Sequence, residues 1–211
     1  MSAVWDMAVQ HADYEQIVRL VSEGSKVLDL GCGTGRLRNM LMERKGVTGR
    51  GVDIDEENVV ECIGKGLSVF QGDLDEGLAD YQDQSYDYVI LNRTLQVVLK
   101  PDYVIREMLR VGKKAIVSFP NFGHWKVRLN LLLRGRMPVT RMLPFEWYNT
   151  PNIHLLTIKD FKRSCLVHGI DILKEVSLVN SRRVYDRRHR LFSNLLAEEG
   201  IFVIAGRTEV R

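Results

Sequence analysis

The chain has 211 residues and a mass of 24.3 kDa, a size that suits a single domain with a substantial core. It is 45% hydrophobic and 27% charged, as soluble globular proteins are, and its net charge of +3 is too small to demand a nucleic-acid partner. Three widely spaced cysteines and five scattered histidines form no disulfide framework or zinc site, and no apolar run is long enough for a membrane span or a signal peptide, so we expect a cytoplasmic protein without metal.

Strand-like and helix-like segments alternate along the first 120 residues. Apolar positions three and four apart predict helices around Leu37–Leu41, Val59–Ile63 and Val104–Val111. This alternation predicts an α/β fold of the Rossmann-like type, a mostly parallel sheet with helices on both faces. The short apolar runs that predict its buried strands are Val27–Leu30, Gly51–Ile54, Ser68–Gln71, Tyr86–Leu91 and Ala115–Phe119.

The last third departs from this alternation. Residues 122–153 contain three prolines and many aromatics, and we expect an irregular insertion or lid within one domain over residues 1–211. Thr157 and Asp160 have the spacing of a capping box and predict a helix that Gly169 closes. Two final strands, Ile172–Val179 and Ile201–Gly206, complete a predicted seven-stranded sheet as a hairpin-like edge addition with the last strand antiparallel.

The first predicted strand runs into a turn that is rich in glycine, within VLDLGCGTGRL. Glycine permits a sharp turn and a close approach of the backbone to a ligand, and the next helix offers unpaired N–H groups. The spacing is shorter than the G-x-G-x-x-G of dinucleotide folds. With an acid two residues upstream, it resembles the first motif of class I S-adenosylmethionine-dependent methyltransferases. The candidate binding residues here are Asp29, Gly31, Cys32, Gly33 and Gly35.

By this resemblance Asp29 lies near the amino group of the methionine part of the ligand; alternatively, it only holds the loop by accepting backbone N–H bonds. Asp53, at the end of the second strand, can accept hydrogen bonds from both ribose hydroxyls, and Ile54 can pack on the adenine ring. Asp73 follows the third strand, where it can accept from the adenine amino group, and Leu74 adds backbone and apolar surface. Ligands bind at the carboxyl ends of strands in open α/β sheets, so these acids predict one shared site.

The segment after the fourth strand, YDYVILNRTLQVV, faces the methyl group in that superfamily. It lacks the two prolines and aromatic of amino-directed nucleic-acid methyltransferases, and the chain has no Pro-Cys pair of the cytosine-C5 type. Asn92 either orients a substrate or caps the next helix. No assembled general base is evident, so the sequence leaves the enzymatic activity open.

Several longer blocks resemble one family. GVDIDEENVVECI, REMLRVGKKAIVSFPNFGHW and LPFEWYNTPNIHLLTIKDF are similar to the bacterial methionine-biosynthesis protein MetW family, and the similarity continues through NLLAEEGIFVIAGR. The resemblance implies S-adenosylmethionine or S-adenosylhomocysteine as ligand, and homoserine O-acyltransferase as a partner that the protein supports or activates. The alternative is an active methyltransferase acting on a small molecule, and a third possibility is nucleic-acid modification.

Two further segments stand out. The insertion at 122–153 has many apolar and aromatic residues bordered by arginines, and forms either satellite core over the sheet or a docking surface. Within it, His124 is either a general base at the pocket mouth or a structural hydrogen-bond donor. The run SRRVYDRRHR at 181–190 indicates either a phosphate or nucleic-acid contact or a solvated face. The arginines at the insertion border are Arg128, Arg134 and Arg136.

Overall fold

The computed structural model describes residues 12–140, 142–179 and 192–207, together with the backbone of 183–185. The other residues of the arginine-rich run at 181–190 lie outside the described part of the chain. The helices are α1 (residues 12–20), α2 (Arg36–Lys45), α3 (Glu56–Gly64), α4 (Pro101–Val111), α5 (Trp125–Arg134), α6 (Ile158–Val167) and α7 (Ser193–Leu196). The strands are β1 (Lys26–Leu30), β2 (Thr48–Asp53), β3 (Val69–Gln71), β4 (Tyr86–Asn92), β5 (Gly112–Pro120), β6 (Ile170–Val179), β7 (Arg183–Tyr185) and β8 (Glu199–Gly206).

All these strands form one mixed sheet in the order β3-β2-β1-β4-β5-β8-β6-β7. Strands β3, β2, β1, β4 and β5 pair in parallel, whereas β8 pairs antiparallel with both β5 and β6. The predicted seven-stranded, mostly parallel sheet with an antiparallel last strand is therefore confirmed. The three-residue strand β7 extends it at the β6 edge.

Alternating residues of the strands build a separate core on each face of the sheet. In β4, Val89 and Leu91 pack on one face together with α4 and α6, whereas Tyr88 and Ile90 pack on the other face with α1 and α2. This alternation follows from the two-residue period of a strand. The central parallel strands β1 and β4 are thus buried on both faces. The side chains at and beyond the carboxyl ends of the parallel strands are available to form a site.

The insertion contains a regular element that we did not predict. Residues 122–153 were expected to be irregular, but α5 occupies Trp125–Arg134 and ends at Gly135, which has a φ of 58°. The prolines that suggested irregular structure all follow the helix. Backbone N–H groups of Ile153 and His154 donate to the carbonyl of Gln96 at 2.8 and 3.0 Å, and so anchor the end of the insertion beside the segment after β4.

The capping box that precedes α6 is present as predicted. The Thr157 hydroxyl accepts from the Asp160 N–H, and the Asp160 carboxylate accepts from the Thr157 N–H. Each side chain satisfies a donor that a helix start leaves unpaired. Gly169 adopts a left-handed φ of 65° just beyond the helix. No helix in the described part of the chain is both long and apolar enough to cross a membrane.

Candidate functional site

The turn between β1 and α2 is fixed against β2 by two hydrogen bonds. The N–H groups of Gly31 and Cys32 donate to the carbonyl of Val52 at 2.8 and 3.1 Å. Gly31 has a φ of 66°, and an added Cβ would lie 2.6 Å from the Thr94 hydroxyl oxygen. Only glycine fits there, because any side chain would be strained and would collide with that threonine. Gly33, with a φ of 52°, would accommodate a Cβ without contact to any atom within 4 Å.

Asp53 connects the end of β2 to the glycine turn. Its Oδ2 accepts the Gly33 N–H at 2.6 Å, and its Oδ1 accepts from the Asp55 N–H at 3.0 Å and from Asn58 Nδ2 at 3.2 Å. The side chain is buried and aims at the turn. Since a carboxylate has about four acceptor positions, these bonds orient it and still leave acceptor capacity for a ligand.

Two adjoining cavities lie at the carboxyl ends of the parallel strands and share Gly31. One, of about 340 Å³, is bounded by the glycine turn and the end of β4; the other, of about 320 Å³, is bounded by the ends of β2 and β3. Of the ten candidate binding residues only Gly35, the residue before α2, lines neither. The first cavity includes Asp29, Gly31, Cys32, Gly33 and Asn92, and the second includes Gly31, Asp53, Ile54, Asp73 and Leu74.

A larger cavity, of about 430 Å³, lies at the opposite rim of the sheet. Lys26, Arg50 and Tyr86 line it, at or near the amino ends of their strands. We place the candidate site at the carboxyl rim despite the smaller volumes. The unpaired N–H groups of helix starts and the strand-end carboxylates are found at that rim, and open α/β sheets bind ligands there.

Asp29 is the most unusual electrostatic feature of the site. Its carboxylate is buried, and Oδ2 has no hydrogen-bond partner in the described part of the chain. The pKa of Asp29 is raised to about 7, mainly by burial; buried Arg38 opposes this rise and Asp53 contributes to it. A buried acid that lacks a partner is costly unless something binds it. The arrangement fits a cationic or hydrogen-bond-donating ligand group, as the amino group of a methionine moiety would be.

Asp73 begins the short 3₁₀ turn Leu74–Glu76, where its Oδ1 accepts the Asp75 N–H at 2.8 Å. This bond fixes the acid at the wall of the second cavity. Leu74 is buried below it, whereas Ile54 is 65% exposed at the cavity edge. The second cavity therefore combines three carboxylates, those of Asp53, Asp73 and Asp75, with apolar surface, a composition suited to a ribose and an adenine ring.

A buried charge cluster next to the first cavity was not predicted. Arg93 Nε lies 3.0 Å from Asp13 Oδ2, and its Nη2 lies 2.7 Å from Glu199 Oε2. Both carboxylates are almost fully buried. Burial raises the pKa of Asp13 to about 7, and Glu199 adds to the rise while Arg93 opposes it. The cluster joins α1, the end of β4 and the start of β8, and Arg93 and Tyr14 add to the wall of the first cavity.

Asn92 belongs to the same network. It accepts from the Ser118 hydroxyl through Oδ1, and its Nδ2 lies 3.4 Å from Asp13 Oδ2. The next helix, α4, begins at Pro101 after Lys100 and receives no cap from a side chain. The prediction that Asn92 caps that helix is therefore wrong, and its position on the cavity wall leaves the substrate-orienting role as a prediction.

The cysteines near the turn are packing residues. Cys32 and Cys62 are buried together with Leu67 beneath the turn, and all three cysteines of the chain are free thiols. Burial raises the pKa of Cys32 and of Cys62, so both thiols stay protonated and unreactive.

His124 lines a separate cavity of about 160 Å³ with Asn121 and Glu198, and burial lowers the pKa of His124.

Comparison with known proteins supports one family. A family model described as "Methionine biosynthesis protein MetW" matches residues 11–204. The bifunctional methionine biosynthesis protein MetXA/MetW of Rhodopirellula baltica is 36% identical over 184 residues, which cover 83% of this chain and 28% of that protein. A demethylmenaquinone methyltransferase of Listeria monocytogenes is 35% identical over 136 residues, which cover 56% of each. The match thus spans about a quarter of the first relative and about half of the second.

Solved structures share the architecture. The S-adenosylmethionine-dependent methyltransferase of Mesorhizobium loti superimposes with a TM-score of 0.66 at 14% sequence identity, covering 92% of this chain and 97% of that one. At such low identity the similarity shows the class I methyltransferase fold and not the ligand or the reaction.

Proposed function

Because the chain belongs to the MetW family of methionine biosynthesis proteins, we propose that it binds S-adenosylmethionine or S-adenosylhomocysteine at the carboxyl rim of the sheet. We further propose that in this form it acts as a partner of homoserine O-acyltransferase. The observation that carries the first part is the unpartnered, buried oxygen of Asp29 beside the glycine turn.

The residues have separable roles in this proposal. Asp29 binds the methionine ammonium group in the first cavity, and the open space at Gly33 admits the chain of the ligand. Asp53, already oriented by the Gly33 N–H, accepts from the ribose hydroxyls. Asp73 accepts from the adenine amino group, and Ile54 covers the ring. Each role is either a hydrogen bond to a charged acceptor or an apolar contact. Neither kind of contact requires the protein to transfer a methyl group.

Calorimetric titration with S-adenosylmethionine tests the binding proposal. Asp73→Ala is expected to weaken binding about tenfold or more, because it removes a charge-assisted hydrogen bond worth about 1.5–3 kcal/mol. The matched control is Asp80→Ala, since Asp80 lines the larger cavity at the opposite rim. If Asp80→Ala weakens binding and Asp73→Ala does not, the ligand occupies the other rim and the proposal is wrong.

The partner role is supported by the relative from Rhodopirellula baltica, whose name joins MetXA and MetW in one polypeptide. Linking two proteins in one chain gives each a high effective concentration near the other, which is useful when they act together. The test is to co-purify this chain with the acyltransferase of the same genome and to assay acyl transfer with and without it. An acyltransferase that neither binds the chain nor changes in activity would contradict the role.

An active methyltransferase is the second candidate, favoured by the similarity to a demethylmenaquinone methyltransferase. Methyl transfer can rely largely on holding the acceptor in line with the sulfonium, so the lack of a recognised base does not oppose it. Asn92 and Arg93 on the first cavity wall would then position the acceptor. Incubation of the protein with a radiolabelled methyl donor and a small-molecule extract tests this candidate. An extract that stays unlabelled after long incubation argues against it.

A further inference from the structure

Helix α5 turns its apolar stripe to the solvent. Trp125, Leu129, Leu132 and Leu133 are spaced i, i+4, i+7 and i+8, so they share one face of the helix. Leu132 is 80% exposed and Leu133 72% exposed. The one α5 residue that is buried, Val127, lies on the opposite side. We call the four exposed residues the α5 outer face.

This arrangement reverses the usual pattern of a surface helix, whose apolar stripe is buried against the core. The inner side of α5 has other neighbours, because Val127 lines a small cavity together with Thr140, Met142 and Leu143. Burial of the α5 outer face inside this molecule would require the helix to rotate away from those contacts. An apolar, solvent-facing stripe on an anchored helix marks an interaction surface.

The border of the α5 outer face is strongly basic. Lys126, Arg128, Arg134 and Arg136 are exposed. Glu146 is the one acidic residue in the sequence from 122 to 153. Leucine and tryptophan surrounded by arginine have the composition of an interface centre with a charged border. The matching surface on a partner would be an apolar groove bordered by aspartate and glutamate.

We propose that the α5 outer face docks the MetXA-type acyltransferase, an inference that rests on the partner role proposed above. The relative that carries MetXA and MetW in one chain keeps a MetXA partner permanently beside its MetW part, and the match to this chain covers only 28% of that protein. A MetW-type protein that acts together with MetXA needs a surface that contacts it. Among the described residues, the α5 outer face has the apolar area and the charged border for that task.

The docking surface is connected to the candidate ligand site through the insertion. The end of the insertion is held by the Ile153 and His154 N–H bonds to Gln96. Gln96 lies between Thr94 and Val97, two residues that line the second cavity. The insertion therefore carries the docking surface on α5 and, at its other end, contacts the segment that lines the second cavity.

Binding of the acyltransferase to immobilised full-length chain tests the proposal. Leu132→Glu/Leu133→Glu is expected to weaken acyltransferase binding about a hundredfold or more, since it places two charges at the interface centre. Leu166→Glu is the matched control, because Leu166 is 75% exposed on a different helix, α6. The control is expected to bind as the wild type does. Both variants should keep the thermal stability and the S-adenosylmethionine affinity of the wild type.

The outcomes separate the two proposals. If the wild type binds the acyltransferase and Leu132→Glu/Leu133→Glu binds equally well, the partner role stands and the α5 outer face is the wrong surface. If the wild type does not bind, the partner role fails, and the occupant assigned here fails with it. Wild-type self-association or binding to anionic lipid vesicles that the double variant abolishes, without acyltransferase binding, would assign the surface to a second copy or to a membrane and overturn the proposal.

Discussion

At the scale of single residues, the buried carboxylate of Asp29 fits a ligand but lowers the free energy of unfolding of the ligand-free protein. Its folded pKa of about 7 lies above the ordinary value of 3.8, mainly because burial disfavours the charged form. Below the ordinary pKa the acid is protonated in both the folded and the unfolded chain. As the pH rises towards 7, the unfolded chain loses this proton first, so the free energy of unfolding falls.

Asp29→Asn removes this pH dependence, because asparagine cannot ionise. We expect the variant to gain stability over the wild type by about 2 kcal/mol as the pH rises from about 5 to about 8, since each pKa unit corresponds to about 1.4 kcal/mol. Urea unfolding without ligand at several pH values measures the difference. Curves for the two proteins that stay parallel over this range would contradict the assignment of the raised pKa to Asp29.

Arg93 stabilises the folded chain, whereas the buried carboxylate of Asp29 destabilises it, because Arg93 pairs with two buried carboxylates. Arg93→Met leaves Asp13 and Glu199 without their cation, and we expect the free energy of unfolding to fall by about 3–5 kcal/mol. The control is Arg106→Met, whose ion pair with Asp102 is largely exposed and should cost below about 1 kcal/mol. Equal losses in the two variants, measured by urea unfolding, would show that the cluster is not a buried unit.

The sequence revealed only part of the residues at this site. Asp29, Asp53 and Asp73 could be found because each lies at or just beyond the carboxyl end of a predicted strand, and the carboxyl ends of parallel strands meet at one rim. The Arg93 cluster could not, because its members are far apart in the chain and only the packing of α1 and β8 brings them together. No local pattern records such a contact.

At the scale of elements, seven strands and helices α2, α3, α4 and α6 were predicted from hydrophobic periodicity and a capping box, whereas α1, α5, α7 and the short strand β7 were missed. In α5 the apolar side chains occupy both the buried and the exposed face, and the prolines that follow suggested irregular structure. The exposed apolar residues of α5 do recur at helical spacing, so the helix was missed because the prolines after it suggested irregular structure. The same apolar residues make its outer face the docking surface in the proposal above.

The turn between β1 and α2 requires glycine at position 31, because Thr94 occupies the space that a Cβ of residue 31 would need. We expect Gly31→Ala to lower the free energy of unfolding by about 2–4 kcal/mol, the sum of a left-handed backbone penalty and a collision. Gly66→Ala is the control, because Gly66 has a φ of 75° and open space around it, so only the backbone penalty of about 1 kcal/mol applies. Urea unfolding of the two variants separates the backbone penalty from the collision. Equal losses of stability would show that the Thr94 side chain moves aside without a measurable free-energy cost.

At the scale of the whole molecule, the two proposals require communication between ligand and partner. If S-adenosylmethionine changes the affinity for the acyltransferase, then the acyltransferase must change the affinity for S-adenosylmethionine by the same factor. We expect a factor of about 5 or more in both titrations, because the insertion carries α5 and its end is hydrogen-bonded to Gln96, next to residues that line the second cavity. Calorimetry of each binding step with and without the other component checks this, and identical affinities would leave a scaffold without a regulatory role.

The position of β8 has a consequence for how the protein is made. Strand β8 lies between β5 and β6, both of which precede it in the chain. Until the ribosome has produced β8, each of those strands keeps an open edge, and such edges invite pairing with other nascent chains. Glu199, the first residue of β8, also arrives only then to complete the charge cluster. We therefore expect these open edges to favour aggregation of the growing polypeptide until β8 has emerged.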